Sequence, residues 1–238
     1  MPQLKKVVAL SCSAKTEQAG AESLSEKFLH TFLEGFSPEQ LRIFYPYKMN
    51  IAYCKACLEC WVKTPGVCSI DDDMAEINEA LQEADLIILA TPIYFMGFSA
   101  KLKTVIERTF SGFNLLTSLD REGQCRHEPR KQKERLALLI STCSYPELNT
   151  FDAAKAYFTA LCKNCYWENA GEIVIPSSAM GVLPGFYDAK LAAVKDAGTE
   201  MAKSNAISAE TWKKICADQI DSQKYQETVN HFFSQRMK

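Results

Sequence analysis

The 238-residue chain is 47% hydrophobic and has a formal net charge of −2 at pH 7, so it can bury a large core and has no general attraction to nucleic acid or to an anionic membrane. The amino-terminal segment is too short for a signal peptide and no run of 18 apolar residues follows, which predicts a cytoplasmic protein with no membrane partner. Ten cysteines in that compartment are expected to be reduced thiols, metal ligands or redox groups rather than a disulfide framework.

The first predicted unit is a strand, a polar loop and a helix. Residues 5–10 form the apolar strand, and a hydroxyl-rich loop over residues 11–20 leads into a helical run that contains Leu24, Phe28 and Phe32. The start of a helix offers free backbone N–H groups and a positive dipole end, which together suit a phosphate. An ordinary polar loop is the alternative interpretation.

The second strand is followed by a cysteine-rich segment. Residues 41–45 mix polar and apolar positions before Pro46, which predicts a half-exposed edge strand. Four closely spaced cysteines follow, at Cys54, Cys57, Cys60 and Cys68. Their number and compactness suit a [4Fe-4S] cluster, while free thiols lining a loop and a structural zinc are the alternatives. The aspartates at 71–73 are expected to cap a helix that runs to about residue 83.

A buried strand and an aromatic loop form the centre of the predicted fold. Residues 86–90 are an unbroken apolar run, as expected for a strand covered on both faces, and Thr91-Pro92 ends it. Aromatic side chains follow before Gly97, and a helix begins near Ser99. The loop therefore lies at the carboxyl end of a strand, where ligands bind in open α/β sheets. The alternative is that these aromatic side chains bind no ligand and only pack the loop against the core.

The remaining elements continue the alternation of strands and helices. The segment 111–135 is long and rich in charged residues, which predicts a solvated face and, more weakly, binding of the phosphates of a nicotinamide cofactor. A strand at 136–140, a helix at 150–166 and a strand at 173–175 follow. The mostly helical segment 187–238 is expected to pack on the domain or on a partner subunit.

Repeated alternation predicts an α/β fold with a parallel sheet and helices on both faces. An edge-like second strand beside buried first, third and fourth strands fits the order 2-1-3-4-5, in which the loops after strands one, three and four meet at one crevice. A phosphorylated aromatic ring such as FMN suits that crevice better than a dinucleotide, because no two glycines are separated by one residue and the Gly-x-Gly-x-x-Gly fingerprint is absent. Gly-x-Ser-x-Gly is also absent.

Several of these motifs occur together in one known family. The sequence Thr91-Pro92-Ile93-Tyr94-Phe95, followed by the segments 99–103 and 107–108 and preceded by the cysteines and Asp72-Asp73-Met74, resembles the flavodoxin-like NAD(P)H-dependent FMN reductases and their relatives, the iron-sulfur flavoproteins and quinone reductases. The resemblance implies a flavodoxin-like FMN-binding domain over residues 1–186. Residues 187–238 are then a C-terminal helical extension of the same globule.

The resemblance also implies a cofactor, its contacts and a partner. FMN would bind at the three loops of a homodimer or higher homo-oligomer and pass electrons from NADH or NADPH to a small acceptor such as a quinone, nitroaromatic or flavin. The chemistry would belong to the flavin, so no catalytic residue and no metal ligand is assigned. The expected FMN contacts are Ser11, Cys12, Ser13, Lys15, Pro92, Ile93, Tyr94, Phe95, Met96, Gly97, Thr142, Cys143, Ser144 and Tyr145.

One departure from the family pattern keeps two other functions open. Lys15 and Ala19-Gly20-Ala21 stand where the family has Arg and then Gly-Asn-Ser/Thr. Loss of one hydroxyl bond to a charged phosphate would cost about 1.5–3 kcal/mol, or roughly one to two decades in affinity. The alternatives are an electron-carrying iron-sulfur flavoprotein and a non-enzymatic binding module that keeps the fold.

Overall fold

A central sheet of five parallel strands organises the chain in a computed structural model that describes residues 4–15, 23–120, 122–217 and 219–237. The strands of the chain are β1 (Lys6–Ser11), β2 (Gln40–Phe44), β3 (Leu86–Pro92), β4 (Phe113–Leu119), β5 (Cys125–Pro129), β6 (Leu136–Thr142) and β7 (Glu168–Ile175). The sheet has the order β2-β1-β3-β6-β7. This is the predicted order 2-1-3-4-5 once the inserted hairpin β4–β5 is counted, so the flavodoxin-like fold class is confirmed.

Helices cover both faces of the sheet because successive residues of the inner strands point to opposite sides. The helices are α1 (Leu24–Phe36), α2 (Glu59–Val62), α3 (Met74–Glu83), α4 (Ala100–Arg108), α5 (Asp152–Cys165), α6 (Asp188–Ser204), α7 (Ala209–Cys216) and α8 (Ser222–Ser234). Val7 and Ala9 pack with α1 and α6 on one face, whereas Val8 and Leu10 pack with α3, α4 and α5 on the other. Within the described residues, no helix is both long and apolar enough to cross a membrane.

The charged segment 111–135 contains a hairpin that the sequence reading missed. Strands β4 and β5 pair antiparallel, and the Asp120 carboxylate accepts hydrogen bonds from the backbone N–H groups of Glu122 and Gln124 in the connecting turn. Charged residues within β5 hide the period of two that marks a strand. Beyond the hairpin, Lys133 pairs with Asp85 at 2.7 Å and Arg135 donates to carbonyls at the end of α3. The contacts of Lys133 and Arg135 therefore hold the charged segment 111–135 in place.

Helix α6 lies so close to α1 that glycine is required at their contact. A Cβ atom on Gly198 would overlap the backbone carbonyl oxygen of Phe32, and one on Gly35 would overlap the carbonyl oxygen of Lys195. Buried residues of α6 and α7 join the same core cluster as α1, including Val194, Met201 and Ile215. The first part of the C-terminal segment is therefore packed on the sheet domain of the same chain.

We expect Gly198→Ala to destabilise the protein by about 1–3 kcal/mol, because an added methyl at a backbone contact forces the helices apart. Helix propensity alone would give the opposite sign, a gain of about 1 kcal/mol. The free energy of unfolding in urea measures the effect. Ala202→Gly at an exposed position of α6 is the control, with a loss of about 1 kcal/mol. A stabilised Gly198→Ala variant would contradict the close packing.

Candidate functional site

Three loops meet at the carboxyl edge of the sheet because backbone hydrogen bonds continue past the ends of the strands. The N–H of Cys12 donates to the carbonyl of Ala90 at 2.7 Å, and the N–H of Ile93 donates to the carbonyl of Thr142 at 2.7 Å. The N–H of Cys143 donates in turn to the carbonyl of Ile175 at 3.0 Å. The three predicted loops are thus neighbours along one edge, where Lys15 of the first loop and Ser144 of the third line one crevice.

Part of the predicted contact set is buried beneath this crevice. Ser11, Cys12, Ser13, Thr142 and Cys143 are all buried. The carbonyl of Cys12 accepts a hydrogen bond from the Ser99 hydroxyl at 2.9 Å, and burial raises the pKa of the Cys12 thiol far above its usual range, so the thiol is neutral. With its side chain in the core and both backbone polar groups engaged, Cys12 shapes the loop instead of offering its thiol to a ligand.

The exposed part of the set is aromatic and lies on a strained turn. Tyr94 and Gly97 exchange backbone hydrogen bonds of 3.0 and 3.2 Å, which places Phe95 and Met96 at the tip with φ of 46° and 65°. Such left-handed conformations cost about 1–3 kcal/mol each in non-glycine residues. The Phe95 side chain is nevertheless fully exposed, and Tyr145 on the neighbouring loop is 58% exposed. The turn therefore displays apolar surface in place of burying it.

The other end of the crevice has the chemistry that a phosphate needs. Ser23 caps α1 by accepting from the N–H of Glu26, its hydroxyl lies 3.3 Å from that of Ser25, and Ser13 accepts from the N–H of Lys15 at 3.3 Å. Hydroxyls, a lysine and a helix start form a suitable donor set. The departure at Ala19-Gly20-Ala21 lies outside the described residues. Together with the aromatic turn, these groups fit a phosphorylated ring such as FMN.

The sequence reading missed Tyr47, which lies beside the aromatic loop. Its hydroxyl lies near the Ser99 side chain, the backbone N–H of Lys101 and Tyr94. Burial is the largest influence and raises the pKa of Tyr47 above its usual value, so the hydroxyl remains protonated. Tyr47 is 36% exposed. A single tyrosine after an edge strand carries no periodic signal that could have indicated this position.

Helix α8 also lies at the site, which the sequence reading did not predict. The Ser222 hydroxyl donates to the Glu147 carboxylate at 2.6 Å, and Tyr225 is buried near Cys143 and Tyr145. The helix therefore packs over the loop that follows β6. Its amphipathic pattern indicates a helix but does not specify the surface on which it packs.

In the cysteine-rich segment, Cys60 lies in α2 and the other three cysteines lie near it. Burial and then the neighbouring thiols, Cys68 before Cys57 and Cys54, raise the pKa of Cys60. Over the described residues, no group of three or more His, Cys, Asp or Glu side chains is placed to hold a metal ion. The number and type of the thiols match a four-thiolate cluster, but their arrangement does not.

A buried ion pair fixes this cysteine-rich segment. The Arg108 guanidinium binds both oxygens of Asp72 at 2.7 and 2.9 Å and donates to the Cys68 sulfur at 3.5 Å. The side chains of Arg108 and Asp72 are 1% and 3% exposed. Burial raises the pKa of Asp72, but the hydrogen bonds from Arg108 and from the N–H groups of Ala52 and Met74 outweigh it and lower the pKa below its usual value.

The chain belongs to the NADPH-dependent FMN reductase family. A model of this family matches residues 5–143, which is more than half of the 238 residues and contains the first two crevice loops and the start of the third. The resemblance stated from the sequence motifs is thereby confirmed.

Curated relatives share shorter segments with this chain. An iron-sulfur flavoprotein from Archaeoglobus fulgidus is 38% identical over 74 residues, which is 31% of each chain. An iron-sulfur flavoprotein from Methanosarcina thermophila is 44% identical over 60 residues, 25% of this chain and 30% of the relative. The alignments thus span about a third of the length of these relatives.

Solved structures agree with the fold at low sequence identity. An FMN-dependent NADH-azoreductase from Bacillus anthracis, solved in complex with FMN, has a TM-score of 0.60 and 17% identity, with 84% of this chain and 99% of that chain covered. An NAD(P)H:quinone oxidoreductase from Methanothermobacter marburgensis has a TM-score of 0.56 and 16% identity, with 83% and 96% covered.

We expect the double substitution Phe95→Asn, Met96→Gly to raise the free energy of unfolding by about 1–2 kcal/mol, because Asn-Gly adopts left-handed turn conformations without strain. Removal of the apolar side chains should weaken FMN binding about tenfold. Urea unfolding and titration with FMN measure the two effects. Leu116→Asn, at an exposed position of β4, should leave FMN binding unchanged. Unchanged FMN affinity in the turn variant would contradict a ring-binding role.

We expect Asp72→Asn to destabilise the protein by about 3–5 kcal/mol, because it leaves the buried Arg108 charge unpaired. Asp72→Asn with Arg108→Met should recover most of this loss. Since the folded-state pKa of Asp72 is lowered, its stabilisation is present at neutral pH and is lost as the pH falls below about 4. Unfolding curves at several pH values measure both effects.

Asp71→Asn, at the exposed neighbouring position, is the matched control and should change stability by less than about 0.5 kcal/mol. Equal losses for Asp71→Asn and Asp72→Asn would contradict the assigned role of the buried pair.

Proposed function

We propose that this protein is an FMN-dependent NAD(P)H oxidoreductase of the cytoplasm that passes electrons to a small planar acceptor such as a quinone, a nitroaromatic compound or a flavin. The observation that carries the proposal is the strained turn at Phe95 and Met96, which exposes apolar side chains beside a loop rich in phosphate-binding groups. Strain of this kind is retained where a site uses the resulting geometry. Membership of the NADPH-dependent FMN reductase family supports the same function.

The proposed roles of the residues follow from their positions. Ser13, Lys15 and the start of α1 would bind the phosphate of FMN, while the turn from Tyr94 to Gly97 and Tyr145 would contact its ring. FMN, when bound, supplies the two-electron chemistry. The protein residues orient the ring, and the apolar side chains exclude water from one of its sides. Tyr47 offers a neutral hydroxyl near Tyr94.

A homodimer or higher homo-oligomer is the proposed assembly. Tyr94, Phe95 and Met96 are 39%, 107% and 51% exposed in the single chain, and contiguous apolar surface of this kind marks an interaction or ligand site. A second copy placed over the turn would complete the enclosure of the ring.

The spacing of the cysteines and the names of the curated relatives favour a second candidate, an electron carrier with a [4Fe-4S] cluster at Cys54, Cys57, Cys60 and Cys68. The observed arrangement of the thiols favours free cysteines instead. An iron assay on protein purified without oxygen separates the two, because the carrier requires about four irons per chain. A third candidate, a non-enzymatic module, requires that added FMN bind weakly or not at all.

The proposed function predicts NADPH oxidation by the full chain once FMN is added, with a quinone or excess FMN as acceptor. Lys15→Gln should weaken FMN binding about tenfold, since one charge-assisted bond to the phosphate is lost. Lys213→Gln, at an exposed position of α7, is the matched control and should keep wild-type affinity. Equilibrium titration with FMN and steady-state NADPH consumption are the measurements. Absence of both FMN binding and turnover in the wild-type chain would overturn the proposal.

A further inference from the structure

A second exposed apolar surface lies at the edge of the sheet opposite to the FMN crevice. Phe113 and Pro129, at the base of the β4–β5 hairpin, line a small cavity together with Arg135 and Cys165. Arg135 directly precedes β6 and Cys165 ends α5, so the base of the hairpin lies at the amino edge of the parallel strands. A contact made by the hairpin is therefore separate from the crevice.

Leucine side chains of β4 give this surface its apolar character. Leu116 is 81% exposed and Leu119 is 69% exposed. A bulge makes the three residues 114–116 of β4 oppose the single residue Glu128 of β5, and bulges of this kind redirect side chains. Leu115, which lies in the same bulge, is also exposed. The hairpin thus presents three leucines to water instead of burying them in the core.

Helix α2 extends the apolar surface and is fixed to the hairpin. The Trp61 indole N–H donates to the carbonyl of Phe110 at 2.8 Å, and the centroid of the Trp61 ring lies 4.5 Å from that of His127 in β5. Val62, the next residue of α2, is exposed, as is the Phe110 side chain. Strands β4 and β5, α2 and the short helical turn before β4 together reach the roughly 20–30 residues that each partner contributes to a standard protein interface.

The outer edge of β4 carries no charge. Among the described residues, β4 pairs with β5 alone, and Phe113–Leu119 contains no charged residue and no proline, although lysine and proline commonly protect edge strands from association. The nearby charges already have partners, since Arg126 pairs with Asp120 at 3.5 Å and the Ser118 hydroxyl donates to the Glu128 carboxylate at 2.7 Å. A partner recognised by its charge therefore finds no counter-charge on β4.

An uncharged edge strand favours a second copy of this chain as the occupant. A two-fold axis places the residues near it against their own copies, so a charged residue there would face a like charge, which is destabilising between paired strands. A two-fold axis through the middle of β4 also makes the two copies of the strand antiparallel, which is the pairing that β4 already has with β5. Because an isolated two-stranded hairpin is marginally stable, a four-stranded sheet shared by two copies would stabilise it.

We propose that two copies of this chain associate through β4, with Leu116 of each copy next to the two-fold axis and the exposed residues of α2 at the border of the contact. The inference goes beyond the proposed function, because the hairpin lies away from the crevice and the contact needs no FMN. It also differs from the proposed contact over the aromatic turn, which uses a separate surface of the chain.

Opposite charges introduced at one position test the contact on the full chain, with sedimentation equilibrium as the measure of mass. Leu116→Asp and Leu116→Lys should each halve the mass of the wild-type assembly, because like charges then meet at the axis. An equimolar mixture of the two variants should restore the wild-type mass, because opposite charges then meet. Leu41→Asp, at an exposed position of β2, is the matched control and should keep the wild-type mass.

Three results would overturn the inference. A monomeric wild-type chain would leave the surface to a different protein, an unchanged mass in both Leu116 variants would place any self-association elsewhere, and a mixture that does not re-associate would show that Leu116 does not face its own copy. Since Leu116 is exposed in the single chain, both variants should keep the wild-type circular dichroism spectrum and FMN affinity. If the wild-type chain binds no FMN, the proposed function fails, and the mass of the flavin-free chain still decides the inference.

Discussion

The backbone hydrogen bonds that extend the parallel sheet beyond its strands position the whole candidate site. The N–H groups of Cys12, Ile93 and Cys143 each donate to the neighbouring strand or loop, and the Ser99 hydroxyl at the start of α4 binds the carbonyl of Cys12. The first and second loops are thereby held from both sides. Because these contacts satisfy buried polar groups of the backbone, the exposed side chains above them can be arranged for ligand binding without loss of the fold.

At the candidate site, buried residues stabilise the loops, and different, exposed residues of the strained turn are placed for ligand binding. Cys12 and Cys143 are buried and support the loops, whereas Phe95 and Met96 remain in water in conformations that favour glycine. Around this edge the protein adds Tyr47 on one side and α8 on the other. The result is a crevice with an aromatic end and a positively charged end, which suits a molecule that joins a flat ring to a phosphate.

The sheet and its three loops were predictable from the sequence because their signals are local. The apolar run at 86–90 indicates a doubly covered strand, and Pro92 fixes its end, so the position of Tyr94 at the carboxyl edge follows directly. The hairpin β4–β5 was missed because charges interrupt its alternation. Tyr47 and the α1–α6 contact through Gly198 depend on long-range packing, for which a single sequence has no periodic signal.

Quantification of flavin and iron on the full chain, purified without oxygen and then equilibrated with FMN, tests the central claim most directly. We expect about one FMN per chain and a flavin absorbance spectrum that shifts on binding, because the crevice fits a phosphorylated ring. We also expect little iron, because no group of three or more potential ligands among the described residues is placed to hold a metal ion. A chain that retains no FMN after equilibration would contradict the assignment of the crevice. About four irons per chain would contradict the assignment of the cysteines as free thiols.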